Sequence, residues 1–145
     1  MILARVFSNI YREGGIILVD SRGQKYICGN PRKNNPITVK LLKGLELGNS
    51  GIISAICNVT APLARKVFDD FEKKKEQTQN DKLIAVRQVF DDYNLISALH
   101  SYMSVKDNNF KNLLPPLVLL NSKEKKDLVN KLNNLKFVVK KNLAA

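Results

Sequence analysis

An α+β fold is predicted for this chain, on three observations. Apolar residues recur at helical spacing through the first 13 positions. Short β-prone runs separated by turn residues follow them. Beyond residue 44, one continuously apolar run is succeeded by segments with helical hydrophobic period. The expected order is an N-terminal helix and a small antiparallel sheet, then a single strand and a helical C-terminal region. The chain has 145 residues, of which 44% are hydrophobic. That is enough for one core, and it argues against wholesale disorder.

Each element has its own signal. Ile2, Leu3, Val6, Phe7, Ile10 and Tyr11 share one helical face, so Met1 to about Glu13 reads as an amphipathic helix that Gly14-Gly15 ends. Ile16-Ile17-Leu18-Val19 and Lys25-Tyr26-Ile27-Cys28 flank Asp20-Ser21-Arg22-Gly23, which is a hairpin pattern. Gly29 to Asn35 is a loop, and Ile37 to Leu41 reads as a third strand. From about Gly44 the pattern changes. Ile52 to Cys57 is apolar but for Ser54, as a strand covered on both faces would be. Pro62 is placed to open the next helix, whose inner face carries Leu63, Ala64, Val67, Phe68 and Phe71. Thr78 to Asp81 is a polar break. A long helix is expected from about Lys82 to Val105, with Val86, Val89, Phe90, Tyr93, Ile96, Leu99 and Met103 as its buried stripe. Leu113 to Leu120 is extended, since Pro115 and Pro116 exclude a regular helix. Asn121 or Ser122 caps a last helix that buries Leu128, Leu132 and Leu135.

Charge and cysteine content exclude some functions. The formal net charge is +11, but residues 1–43 carry eight basic against two acidic side chains and residues 44–145 sixteen against eleven. The excess is spread along the chain, and no nucleic-acid-binding motif accompanies it, so no nucleic-acid partner is expected. Cys28 and Cys57 have no metal-ligand spacing and read as reduced, buried thiols, with a disulfide as the lesser alternative. No apolar run approaches the roughly 18 residues that span a bilayer. Arg5, Ser8, Asn9 and Arg12 interrupt any signal-peptide core, so the cytoplasm is the expected location. The N-terminal helix, with Arg5 and Arg12 beside its apolar face, could touch an anionic membrane; packing on the hairpin is the favoured alternative.

Gly48-Asn49-Ser50-Gly51-Ile52-Ile53-Ser54, continuing to Asn58 and Pro62, resembles the last barrel strand of the aldolases related to dihydrodipicolinate synthase and N-acetylneuraminate lyase. The resemblance extends over residues 44–137, through the following helices, the Leu-Pro-Pro-Leu stretch and the closing Ser-Lys-Glu-Lys-Lys helix. It implies a strand derived from a TIM barrel and an incomplete (β/α)8 architecture, because a complete barrel takes about 250 residues. Asn58-Val59-Thr60-Ala61-Pro62 has one residue more before the proline than the commonest family form, which leaves the substrate open. Residues 1–43 resemble the N-terminal segment of cyclopropane-fatty-acyl-phospholipid synthases through Gly14 to Tyr26. The chain thus divides at 43/44 into a helix-and-hairpin segment, residues 1–43, and an aldolase-like segment, residues 44–145.

The family acts through a lysine that forms a Schiff base with a keto acid, a proton-shuttling tyrosine and a carboxylate-binding loop. Lys40 and Lys43 lie just upstream of the motif but outside the family's lysine setting, and Tyr11 and Tyr26 fall in the hairpin half. No catalytic residue is therefore assigned. The one position carried over is Ile53, which lines the keto-acid pocket in the family, partly through its carbonyl; here the plainer expectation is a buried strand residue. His100 stands alone on a helix with no ligand-spaced partner, so no metal site is expected. Asp69-Asp70 and Asp91-Asp92 split across helix faces. Gly14-Gly15 is a helix stop and not a phosphate loop. No cofactor is expected. The resemblance implies a keto acid as ligand and a homo-oligomer as assembly. Two functional readings follow: a remnant or chimeric lyase inactive by itself, or a non-enzymatic lipid-associated or assembly module related to the cyclopropane synthases.

Overall fold

The computed structural model of the protein describes residues 15–19, 21–29 and 41–138. The predicted N-terminal helix, the loop after the hairpin and most of the third strand lie outside the described residues. The hairpin is present. Strands β1 (Gly15–Val19) and β2 (Lys25–Gly29) pair antiparallel, with Ile17 opposite Ile27. Gly23 supplies the positive φ of 78° that the turn between them requires.

Leu41, expected to end a strand, instead begins helix α1 (Leu41–Glu46). Leu41 and Leu45, four residues apart, both bury on one helical face, and that burial selects the helix over the strand. Gly48 ends it at φ 79°, with its N–H donating to the Leu45 carbonyl at 2.9 Å. Asn49 completes the stop. Its backbone N–H and its buried side-chain amide both reach the Gly44 carbonyl, at 2.9 and 2.8 Å.

Strand β3 is shorter than Ile52–Cys57, covering only Gly51–Ile53. It joins the hairpin by lying parallel to β2, with Ile27 opposite Ile52, so the sheet is mixed and three-stranded in the order β1-β2-β3. The apolar run beyond it turns into helix. Cys57 N–H bonds Ser54 O and Asn58 N–H bonds Ala55 O, which starts helix α2 (Cys57–Glu72) five residues before Pro62. Burial explains the difference. Ile56 and Val59 are fully covered in the core, and a turn followed by a helix points both at the same neighbours. Pro62 then sits inside the first turns, where it removes one backbone donor without ending the helix.

The long helix expected from Lys82 to Val105 is two helices. Helix α3 (Asn80–Asp91) and helix α4 (Leu95–Met103) are separated at Asn94, which is extended at ψ 117° and accepts from the Ser97 N–H through its side chain at 3.1 Å. Breaking there lets Phe90 from α3 and Leu99 from α4 enter one core, which a straight rod could not do. A short 3₁₀ turn (Asn108–Lys111) and the extended Leu113–Leu120 segment lead to helix α5 (Ser122–Asn134). Asn121 caps α5 reciprocally with Glu124, as its position predicted.

Two hydrophobic clusters hold these parts together. Phe90, Ile56, Val59, Leu128 and Leu132 centre the larger one; Leu41, Leu45, Val67 and Leu83 form the smaller. Leu63 of α2 packs against both. Among the described residues the architecture is thus mainly helical with one small sheet, and no barrel is closed.

Phe90→Ala is expected to destabilise the protein by about 3–5 kcal/mol, measured by denaturant unfolding, because the ring is fully buried among both helices' apolar faces. Asn121→Ala is expected to cost about 1 kcal/mol in the same assay, through loss of the α5 cap.

Candidate functional site

Two places in the fold bring chemically active groups together. The first is the C-terminal end of β3, where the Gly48–Pro62 motif lies. Ile53 ends the strand and is 50% exposed, in contrast with the buried residue expected. The reason is position: β3 is an edge of the sheet and is paired only with β2, so nothing among the described strands covers its other side. Its neighbour Ile52 packs on the smaller cluster. Cys57, at the start of α2, is a free thiol that burial pushes above its usual pKa, partly offset by its side-chain interaction with Thr60. The thiol is therefore a poor nucleophile at neutral pH. Thr60 itself donates to the Ile56 carbonyl at 3.0 Å.

The second place was not visible in the sequence. Tyr93, just after α3, donates its hydroxyl to Asp127 of α5 at 2.6 Å. Lys131, one turn further along α5, lies 3.0 Å from Asp127, 3.0 Å from Asp92 and 3.5 Å from the Tyr93 oxygen. Its ammonium also sits 5.4 Å from the centre of the Tyr93 ring. The Asp127–Lys131 pair is readable from its spacing of four on a helix. Tyr93 is 34 residues away, and no local pattern announces it. An open groove of about 340 Å³ runs beside the cluster, lined by Asp92, Tyr93, Asn94, Ser97, Val118 and Glu124 among others.

The electrostatics of this cluster decide what it can do. Hydrogen bonds to Asp127 and Asp92 hold the Lys131 ammonium well above the usual lysine range. A lysine so held stays charged, and only the neutral amine can attack a carbonyl. Tyr93 is shifted up as well, first by burial and then by its bond to Asp127, so it does not ionise readily. Asp127 is held down by the Tyr93 hydroxyl and by Lys131. The cluster ties α5 to the α3–α4 junction.

The remaining candidates fall apart spatially. Asp69 pairs with Arg65 and Asp70 with Lys66, while Asp91 pairs with Arg87 at 2.6 Å and Asp92 with Lys131. Asp70 is buried and also accepts from the Thr78 hydroxyl, which anchors the α2–α3 connection. His100 donates its Nδ1–H to the Phe110 carbonyl at 3.0 Å and stacks edge-on with the Phe110 ring. Lys43 is exposed on α1, and Tyr26 lies in β2 opposite Gly51. Lys40, Tyr11 and Gly14 lie outside the described residues. Among the described residues no three His, Cys, Asp or Glu side chains converge as metal ligands, and no helix is long and apolar enough to cross a membrane.

Among the described residues, a strand at a sheet edge is followed by a succession of amphipathic helices, which defines an α+β helical module. No family model and no curated protein matches the chain. Among solved structures, N-acetylneuraminate lyase of Proteus mirabilis shares the fold over 69% of this chain, with a TM-score of 0.60 and 23% sequence identity. The chain covers 35% of that lyase's own length. The expected resemblance to that lyase's fold is therefore observed. The resemblance of residues 1–43 to cyclopropane synthases finds no support in these comparisons.

Asp127 has a folded-state pKa below its ordinary 3.8, so its contribution to stability is present above that value and is lost as the pH falls through the lower, folded one. Asp127→Asn is expected to lower the urea midpoint at pH 7. It should also flatten the decline in midpoint between neutral pH and about pH 3 relative to the unaltered chain.

Proposed function

We propose that this chain carries the closing strand-and-helix portion of a keto-acid lyase fold and forms no Schiff base by itself. The observation that carries this reading is a pairing of opposites. The sequence from Gly48 to Pro62 resembles the pattern of that family and the chain shares its fold with N-acetylneuraminate lyase over 69% of its length, while the Lys131 ammonium, 3.5 Å from the Tyr93 hydroxyl, is held as a cation by Asp127 and Asp92. A locked ammonium beside an un-ionised phenol supports packing and offers no nucleophile. On this reading the chain is a chimeric or remnant relative of the aldolases. Its two segments, 1–43 and 44–145, act in the cytoplasm as a binding or assembly unit able to self-associate. Ile53 is then the residue placed to meet a keto acid, through its carbonyl at the end of β3.

The decisive measurement is trapping with pyruvate and borohydride, read by intact mass. No adduct is expected. A mass increment matching a reduced pyruvate imine, mapped to a lysine, would overturn the non-catalytic reading while leaving the shared fold intact.

A further inference from the structure

Leu114 and Val118 are the most exposed large hydrophobic side chains among the described residues, at 84% and 73%. They flank Pro115-Pro116 in a turn closed by the Leu117 N–H, which donates to the Leu114 carbonyl at 3.1 Å. Both sides of the turn are pinned. Before it, the 3₁₀ turn is anchored where His100 donates to Phe110 O, and Asp107 caps its start. After it, the Leu120 N–H donates to the buried Ser101 hydroxyl at 2.8 Å, and Asn121 enters the α5 cap. An apolar tip held this firmly is a fixed surface feature, and water gains nothing from it.

The backbone chemistry of the tip is unusual in the same direction. Moving a segment out of water costs free energy for each unpaired backbone donor. Pro115 and Pro116 have no N–H, and the Leu117 N–H is already bonded, so three consecutive positions expose no free donor. The flanking sequence is basic, and Asp92, which shares a groove with Val118, is paired with Lys131. Lys106, Lys111, Lys123 and Lys126 are exposed, and residues 105–126 hold five lysines against Asp107 and Glu124. A second copy meeting the chain through this same turn would set its lysines against these, whereas an acidic surface would be attracted.

We infer that the Leu114–Val118 turn is the insertion tip of a peripheral docking site for an anionic lipid surface. Leu114 and Val118 enter the boundary between headgroups and acyl chains, and the flanking lysines meet the phosphate and carboxylate headgroups. Two aliphatic side chains are too few to anchor a protein alone, so attraction by lysines is a required second part and binding is salt-sensitive. This site is separate from the N-terminal helix and does not depend on the lyase-fold reading.

The test is co-sedimentation of the full chain with vesicles of phosphatidylcholine alone and of phosphatidylcholine mixed with phosphatidylserine. Binding to the mixed vesicles only, lost in high salt, is expected. The double variant Leu114→Ser/Val118→Ser should weaken it by roughly tenfold or more, with an unchanged thermal melt because both side chains are exposed. In a Leu114→Trp variant, indole emission should shift to the blue on adding the mixed vesicles. Absence of binding overturns the proposal, and so does binding that the double variant leaves intact, which would place the contact elsewhere on the chain. Sedimentation as a dimer that the double variant converts to monomer would assign the turn to a second copy and overturn it equally.

Discussion

Helix α2 is buried on two sides, and the rest of the molecule is arranged around that fact. Ile56 and Val59 at its start enter the larger hydrophobic cluster, Val67 enters the smaller one, and Leu63 between them touches both. Each such side chain contributes about 1.5–3 kcal/mol when fully covered. The helices α3, α4 and α5 supply the cover on one side through Phe90, Leu99, Leu128 and Leu132, and α1 supplies it on the other through Leu41 and Leu45. The sheet joins the helices through Ile52 of β3, which packs on the smaller cluster. The chain is therefore continuous in packing across a point where its sequence pattern changes abruptly.

The same burial sets the character of the motif at β3. Ile56 is more valuable inside the core than as a further strand residue, so the strand stops at Ile53 and the backbone turns. A three-residue strand with one neighbour has an open edge and a half-exposed terminal side chain. Gly48 and Asn49, which belong to the family-like motif, have a local structural task here in ending α1. The cluster around Lys131 illustrates the complementary point: residue types associated with carbonyl chemistry meet, but mutual neutralisation gives them a fastening role.

Hydrophobic period revealed most of the helical material, and turn and cap residues revealed the hairpin and the α5 cap, since each depends on side chains within a few positions of one another. The pattern from Lys82 to Val105 was accurate as to which side chains are apolar and wrong as to continuity. Periodicity reports a face but is blind to a short interruption that preserves it approximately. Asn94 was a capping signal inside that stretch, and reading it as an N-cap would have found the break. Leu41 shows the opposite error. A β-prone neighbourhood suggested a strand, and the burial of two leucines four apart prevailed. For the candidate site, Asp127 and Lys131 were open to detection by spacing, whereas Tyr93 and Asp92 joined them only through the packing of α3 against α5.

What the sequence determined by itself is local and compositional: where turns and caps fall and which faces are apolar. Tertiary structure decided the rest. It chose β2 as the partner of β3 and fixed where that strand ends. It left Ile53 and the Leu114–Val118 turn facing solvent, and it converted a lysine and a tyrosine into a closed ion-pair network. The reason is that local preferences differ by about a kilocalorie per mole, while burying or stranding a whole side chain shifts the balance by more.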